Sequence, residues 1–170
     1  MERVDRRMGK CNSVGNTQLY MIMPTSSRFA VAVHTLVSIA VMGGKPARSE
    51  DIANSANTGA AVIRRLLSLL NEAGLTTSQL GAGGGALLAK PSENIRLLDV
   101  YEAVEDTEIF TLHRAPPCAD CAVGGNIHEA IRPTLEKARS AFENELYNVT
   151  IADIAAEVAR LGKFTLPPAW

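Results

Sequence analysis

Residues 49–90 hold three features that few folds accommodate together. Ser49-Glu-Asp-Ile-Ala-Asn-Ser-Ala56 is patterned as a short helix, and Thr58 to Gly74 as a longer amphipathic one. Leu75 to Ala89 then reads as a hairpin around the glycine run Gly81-Ala-Gly-Gly-Gly85. Helix, tight turn, amphipathic helix and glycine-tipped hairpin is the order of a winged helix-turn-helix, a module that reads duplex DNA. Lys90-Pro91 closes the unit, because proline lacks the amide a continuing ladder needs.

The elements around this unit follow from periodicity. Phe29, Ala30, Val33, Val37, Ala40 and Val41 recur at three- and four-residue steps and predict a buried helix ending at Gly43-Gly44. His34 falls on the same side and reads as a satisfied core residue rather than a ligand. Ser49 suits the N-cap of the next helix, with Glu50 and Asp51 complementing its dipole, and Thr58 suits the N-cap of the one after. On that second helix Val62, Leu66, Leu69, Leu70 and Ala73 form the expected apolar face, and Gly74 ends it. Leu97–Val104 is a short helix offering Leu98, Tyr101 and Val104 for packing. Residues 105–124 form an irregular stretch with Pro116-Pro117, Cys118, Cys121 and Gly124-Gly125, and loops of that length are often functional.

A long helix follows from Asn126. Ile127, Ile131, Leu135, Ala138, Phe142, Leu146 and Val149 step by threes and fours, close to the 11-residue period of a nearly straight helix. Pro133 falls inside it. Positions 126–148 would span about 34 Å. So long an apolar stripe in a small protein needs something to pack against, and Ile127, Ile131, Leu135, Ala138, Phe142 and Leu146 are the expected dimer interface. A short amphipathic helix over 151–161 completes the chain. The expected architecture is mainly α: a loose extension over 1–24, with Met21 or Met23 as an alternative start, then a winged helix-turn-helix domain over 25–96. A short helix and candidate sensor loop occupy 97–124, and a dimerisation helix with a C-terminal helix 125–170.

Composition narrows the function classes. With 46% hydrophobic residues the chain can bury a core, unlike a disordered one. No apolar run reaches the roughly 18 residues of a membrane span, and no apolar core marks a secretory signal near the start. Three cysteines without a signal point to the reducing cytoplasm. The net charge of −1 conceals an asymmetry: residues 1–96 carry 11 Lys/Arg against 6 Asp/Glu, and residues 97–170 carry 6 against 12. A basic half suits a polyanionic partner.

Within the presumed recognition helix, Thr58, Ala61, Arg64 and Ser68 lie on the exposed arc and Arg65 borders it. Arginine pairs in bidentate fashion with guanine, and hydroxyls serve bases or phosphates. Solvated surface arginines are the bland alternative, which the flanking helix and hairpin outweigh. Gln79, Gly81, Gly83, Gly84, Gly85 and Lys90 complete the expected DNA-facing set, the glycines by letting the wing backbone approach a phosphate strand. The letters Gly81-x-Gly83-x-x-Ala86 also match a dinucleotide fingerprint, but that motif must open a helix and Pro91 follows too soon. No catalytic constellation is present, so an enzyme is not expected.

Cys118-x-x-Cys121 is compatible with a metal ligand pair, a reversible disulfide, or no chemistry. Position near the N-terminus of the long helix favours a thiolate at Cys121. His113, Asp120 and His128 are the residues that could complete a metal site. The runner-up function is therefore a thiol- or metal-dependent oxidoreductase using Cys118 and Cys121, although no βαβ pattern surrounds the pair. A protein–protein adaptor built on the helix-turn-helix shape is a third reading.

Ser27-Arg-Phe-Ala-Val-Ala-Val-His34, Arg64-Arg65 with Leu69 and Ala73-Gly-Leu75, Gly81–Gly85 with Leu88-Ala89-Lys-Pro91, and Asp99-Val-Tyr-Glu-Ala-Val-Glu105 together resemble the Rrf-two family of bacterial transcriptional regulators over about residues 25–155. The resemblance implies a homodimer of winged-helix heads, with the long helix crossing to the partner subunit, and repression at a near-palindromic operator in double-stranded DNA. Some members hold an iron–sulfur cluster through three cysteines before the long helix. This loop has two and no third, and Cys121-Ala-Val-Gly-Gly-Asn-Ile127 resembles the cluster-free branch. No cofactor is therefore expected unless His128 or a partner subunit supplies a further cluster ligand. A redox-responsive regulator is the expectation the two thiols leave.

Overall fold

The computed structural model describes residues 26–105, 109–113 and 115–167. The extension over 1–24, with Cys11 and both alternative starts, lies outside the described residues. Six helices and one hairpin run in the order α1 (Arg28–Val41), α2 (Ser49–Ser55), α3 (Ala60–Glu72), β1 (Thr76–Gln79), β2 (Gly85–Leu88), α4 (Leu97–Val104), α5 (Ile127–Asn148) and α6 (Ile151–Gly162). The mainly helical class, the hairpin and the long helix agree with the pattern of the sequence.

One core joins α1, α2, α3, α4, the hairpin and α6. Leu36, Ile39, Ile52, Ile63, Leu70, Leu75, Ile95, Val100 and Ile151 are its largest fully buried apolar side chains. The buried side of α1 is Ala32, Thr35, Leu36, Val37 and Ile39, not the predicted stripe. Of that stripe only Val37 is buried; Ala30 is exposed and Phe29, Val33, Ala40 and Val41 lie at the margin. This helix is apolar on most of its circumference, so periodicity alone could not set its phase. Thr35 is buried at no cost in unpaired groups, because its hydroxyl donates to the Val31 carbonyl at 2.8 Å. His34 is not a core residue: it is partly exposed and bonds Ser55 Oγ through Nε2 at 2.9 Å.

Two cap expectations shift by one residue. Arg48 holds the N-cap position of α2 and Gly59 that of α3, so Ser49 is already helical and Thr58 stands before the cap. Between these helices Asn57 adopts a positive φ of 48°, and the Thr58 amide donates to the Ala53 carbonyl at 3.0 Å. Asparagine tolerates the left-handed region better than other side chains with a Cβ. On α3 the core side is Ile63, Leu66 and Leu70 rather than Val62, which is 46% exposed.

The hairpin pairs antiparallel, Thr76 opposite Leu88 and Gln79 opposite Gly85. Ala47 adds a third short rung, exchanging backbone hydrogen bonds of 2.9 and 2.8 Å with Ala86. That rung pins the wing to the segment leading into α2.

α6 starts at a capping box. Thr150 Oγ1 accepts from the Asp153 amide at 3.1 Å, and the Thr150 amide donates to Asp153 Oδ2 at 2.8 Å. The Thr150 hydroxyl, then its amide, hold the Asp153 carboxyl below its ordinary value. A lowered carboxylate favours the folded state above its ordinary pKa, and that contribution is lost as pH falls through the lowered one. Thr150→Ala is expected to reduce stability by about 1 kcal/mol near neutrality, and by less in acid. Paired urea melts of both chains at neutral and acid pH measure this.

α5 differs from the other five α-helices among the described residues: over 22 residues none is buried. It rests chiefly on α4, through an edge-to-face stack in which Phe142 meets Tyr101 at 5.1 Å and Tyr101 meets Phe29 at 5.7 Å. No helix among the described residues is long and apolar enough to cross a membrane.

Candidate nucleic-acid interface

α3 turns Ile63, Leu66 and Leu70 into the core. At about 100° per residue, Ala61, Arg64, Arg65 and Ser68 then fall on the opposite side, and all four are exposed. Thr58 is half-buried just ahead of the helix. A shallow recess bounded by Arg64, Ser68, Asn71, Ser78 and Gln79 lies between α3 and the hairpin. A second, lined by Arg48, Ser49, Glu50 and Gly81–Gly85, lies between the start of α2 and the hairpin tip. Arg64 and Ser68 of the helix arc, the start of α2 and the wing thus line two adjoining recesses that share Ser49 and Gly85. Lys90 stands apart from it, beside Ala40, Leu88 and Leu166, with Nζ 3.4 Å from Asp99 Oδ2.

The wing glycines answer first to the fold. Gly81 and Gly83 have φ of 95° and 83°, which L side chains rarely adopt. A Cβ on Gly84 would sit 2.2 Å from the Gln79 carbonyl oxygen, and one on Gly85 2.4 Å from that of Ala47. Tight turning and close backbone approach explain the run without any ligand. Leu80 beside them is 91% exposed.

Arg64 is not free on this face. Its guanidinium bonds the Glu50 carboxylate across α2 and α3, with both side chains more than half exposed. Glu50 is held below its ordinary carboxylate range by its backbone hydrogen bond first, then by Arg64 and Ser49. Arg65 has no ion pair among the described residues. Sequence reading missed both Glu50 as a partner of Arg64 and Arg48 as a cation beside the wing. The first pairing spans 14 positions and two helices, so no local pattern signals it. For Arg48 a signal existed: a basic residue immediately before the first helix of the pair.

The loop before α5 is a compact turn. Cys121 donates its amide to Cys118 O at 3.3 Å, and Gly125 donates to Cys121 O at 2.8 Å. A Cβ on Gly124 would meet the Cys118 carbonyl oxygen at 2.3 Å. Both thiols are free and exposed. The Cys121 thiol is held below its ordinary value by hydrogen bonds from the Gly124 amide, then the Val123 amide. The cause is therefore the local turn; α5 begins only at Ile127. His113 Nδ1 lies 3.0 Å from His128 Nε2, tying the loop to α5. Asp120 does not join them: no group of three His, Cys, Asp or Glu side chains able to hold a metal occurs among the described residues. Two thiolates alone do not fit the four ligands of a cluster.

Comparison with known proteins places these features. The model of the Rrf2 family, "Iron-dependent Transcriptional regulator", matches residues 25–157. YwnA of Bacillus subtilis (strain 168), named as an HTH-type transcriptional regulator, is 40% identical over 130 residues, covering 76% of this chain and 95% of its own. Among solved structures, Staphylococcus aureus CymR in its oxidized form is similar at 25% identity and a TM-score of 0.61, over 78% of this chain and 96% of that one. CymR, the global cysteine regulator of B. subtilis, shares the fold at 22% identity and a TM-score of 0.64, over 80% and 98% of the two chains. The family and these relatives are transcriptional regulators rather than enzymes, and nothing in them supports the oxidoreductase alternative. The chain belongs to the Rrf2 family, the Rrf-two family its motifs resemble, and is a transcriptional regulator with a winged-helix DNA-binding fold.

Proposed function

We propose that the protein is a cytoplasmic homodimeric repressor that binds a near-palindromic operator through α3 and the wing. The observation that carries this reading is the exposed arc Ala61, Arg64, Arg65 and Ser68 set opposite the buried side of α3 and flanked by the wing. Arg64 reads a base edge, Arg65 and Arg48 hold phosphates, and Thr58, Gln79 and the backbone of Gly81, Gly83, Gly84 and Gly85 line the strand. Lys90 contributes long-range charge only. The stripe Ile127, Ile131, Leu135, Ala138, Phe142 and Leu146 on the unburied α5 joins two copies. Two-fold symmetry then sets two recognition helices at half-sites one helical turn or a multiple apart. Selection from a random duplex library tests this. An enriched inverted repeat is expected; enrichment of a single half-site, or none, contradicts it.

Glu50 restrains Arg64 in the free protein and repels phosphate. Glu50→Gln is expected to tighten binding to operator and unrelated duplexes alike, by about 3- to 10-fold at low salt. Fluorescence anisotropy with both duplexes reads this directly, and unchanged affinity for both refutes the pairing's role.

Cys118 and Cys121 form the redox-responsive part of the proposal, supported by their exposure, the lowered Cys121 thiol and the likeness to an oxidized CymR. With its larger thiolate fraction Cys121 is oxidised first by peroxide, giving a sulfenic acid and water. The Cys118 sulfur then attacks that sulfur, the S–O bond breaks as the disulfide forms, and the leaving hydroxide and the Cys118 proton depart as water. Operator affinity is expected to change on peroxide treatment of the wild type and not of Cys118→Ser/Cys121→Ser. Equal binding by all four samples would leave the cysteines without a role.

A further inference from the structure

A cavity of about 700 Å³ opens between α1, α2 and α6, with the core residues Val37, Ala47 and Ile52 in its lining. That volume is in the range of small-molecule sites. Its walls are mostly apolar: Ala30, Val33, Val37 and Val41 from α1, with Ile154 and Val158 from α6. These four α1 residues belong to the predicted apolar stripe, of which only Val37 is buried. Phe164 closes one side from beyond α6. The polar side chains are few: Asp51 and Ser55 from α2, and Ser38 and His34 from α1, the last bonding Ser55 through Nε2. No lysine or arginine lines the cavity, and Asp51 has no ion pair among the described residues.

We propose that this cavity is an effector site for a lipophilic cation, an apolar body of drug-like size carrying one positive charge. The apolar walls remove the body from water, and the Asp51 carboxylate, with no lysine or arginine in the lining, selects the charge. Neutral ligands of the same shape gain the first contribution and not the second. Anions are repelled by the carboxylate and meet no lysine or arginine in the lining.

The position also couples to DNA, a step that rests on the regulator reading above. α2 packs directly on α3, and the His34–Ser55 hydrogen bond is the polar tie between α1 and α2 at the cavity wall. A rigid body seated between α1 and α2 breaks that tie and moves α2 relative to α1, carrying α3 out of register with the wing. Ligand therefore weakens operator binding, and by linkage operator weakens ligand binding by the same factor.

Calorimetric titration of the full chain with tetraphenylphosphonium and with tetraphenylborate, ions of like size and opposite charge, tests the site without DNA. Saturable binding of the cation is expected, at least about tenfold tighter than the anion. Asp51→Asn should remove most of that preference, and Ala30→Trp, which places bulk in the cavity from its exposed rim, should abolish binding. Val158→Trp, from the α6 side, replaces it if that chain fails to fold. No saturable binding, equal affinity for both ions, or wild-type binding by the filled variants overturns the proposal, whether a second copy or another segment covers the cavity. A chain that binds the cation but no operator refutes the regulator reading and leaves the site standing. A chain that binds operator and not the cation refutes the site alone.

Discussion

Arg64→Ala/Arg65→Ala binds operator on the order of 10²-fold more weakly than the wild type, with each side chain failing in its own way. A bidentate base contact is worth about 1–3 kcal/mol, so Arg64→Ala alone should also relax specificity at one base position in each half-site. Arg65 faces solvent, with no ion pair among the described residues, which suits a phosphate contact. Its removal should weaken all sequences alike and reduce the slope of log affinity against log salt by about one per subunit. Anisotropy titrations at three salt concentrations, against the operator and single-base variants, separate the two roles. Unchanged operator affinity in the double variant would remove α3 from the interface.

Ile131→Glu/Leu135→Glu is expected to give a monomer that has lost operator binding. Ile131 is 38% exposed and Leu135 half-buried on a helix with no buried residue, so both can change without hollowing the core. Burying such side chains against a second copy contributes about 1.5–3 kcal/mol each, and a buried carboxylate adds a desolvation penalty. Dissociation turns a two-headed contact into a single one, a loss of about 10²–10⁴ in affinity. Sedimentation at micromolar concentration should show the wild type at twice the mass of the variant, with the same thermal transition in the heads. A monomeric wild type contradicts the dimer, and a dimeric variant moves the interface away from this stripe. Phe142 is a poorer probe, because its ring already packs on Tyr101 within the subunit.

What the sequence made legible was set by how local each physical cause is. The hairpin followed from glycines flanked by apolar residues, and α5 from an uninterrupted step of threes and fours. Where α1 is apolar nearly all round, the same method chose a face that the structure uses mainly to line a cavity. The exposed arc of α3 was legible because charges and hydroxyls cannot share the side of Ile63, Leu66 and Leu70. Val62 shows the weakness of that method: an apolar residue at the border was given to the core, and the structure leaves it in solvent. The ion pair of Arg64 with Glu50, the rung between Ala47 and Ala86, and the stack of Phe29, Tyr101 and Phe142 join residues 14, 39 and up to 72 positions apart. Contacts of that reach come from the fold as a whole. The lowered thiol at Cys121 was anticipated in direction but not in cause, since a four-residue turn supplies the amides that a helix end was expected to provide.

The most direct test of the account is a quantitative titration of the wild-type protein with the duplex upstream of its own gene and with a scrambled duplex of equal length. Nanomolar binding to the first is expected at physiological salt, at least about 10³-fold tighter than to the second, together with a two-fold-symmetric footprint centred on an inverted repeat. Equal affinity for both duplexes, or no protection at any protein concentration, would contradict the reading of α3 and the wing as a sequence-specific interface.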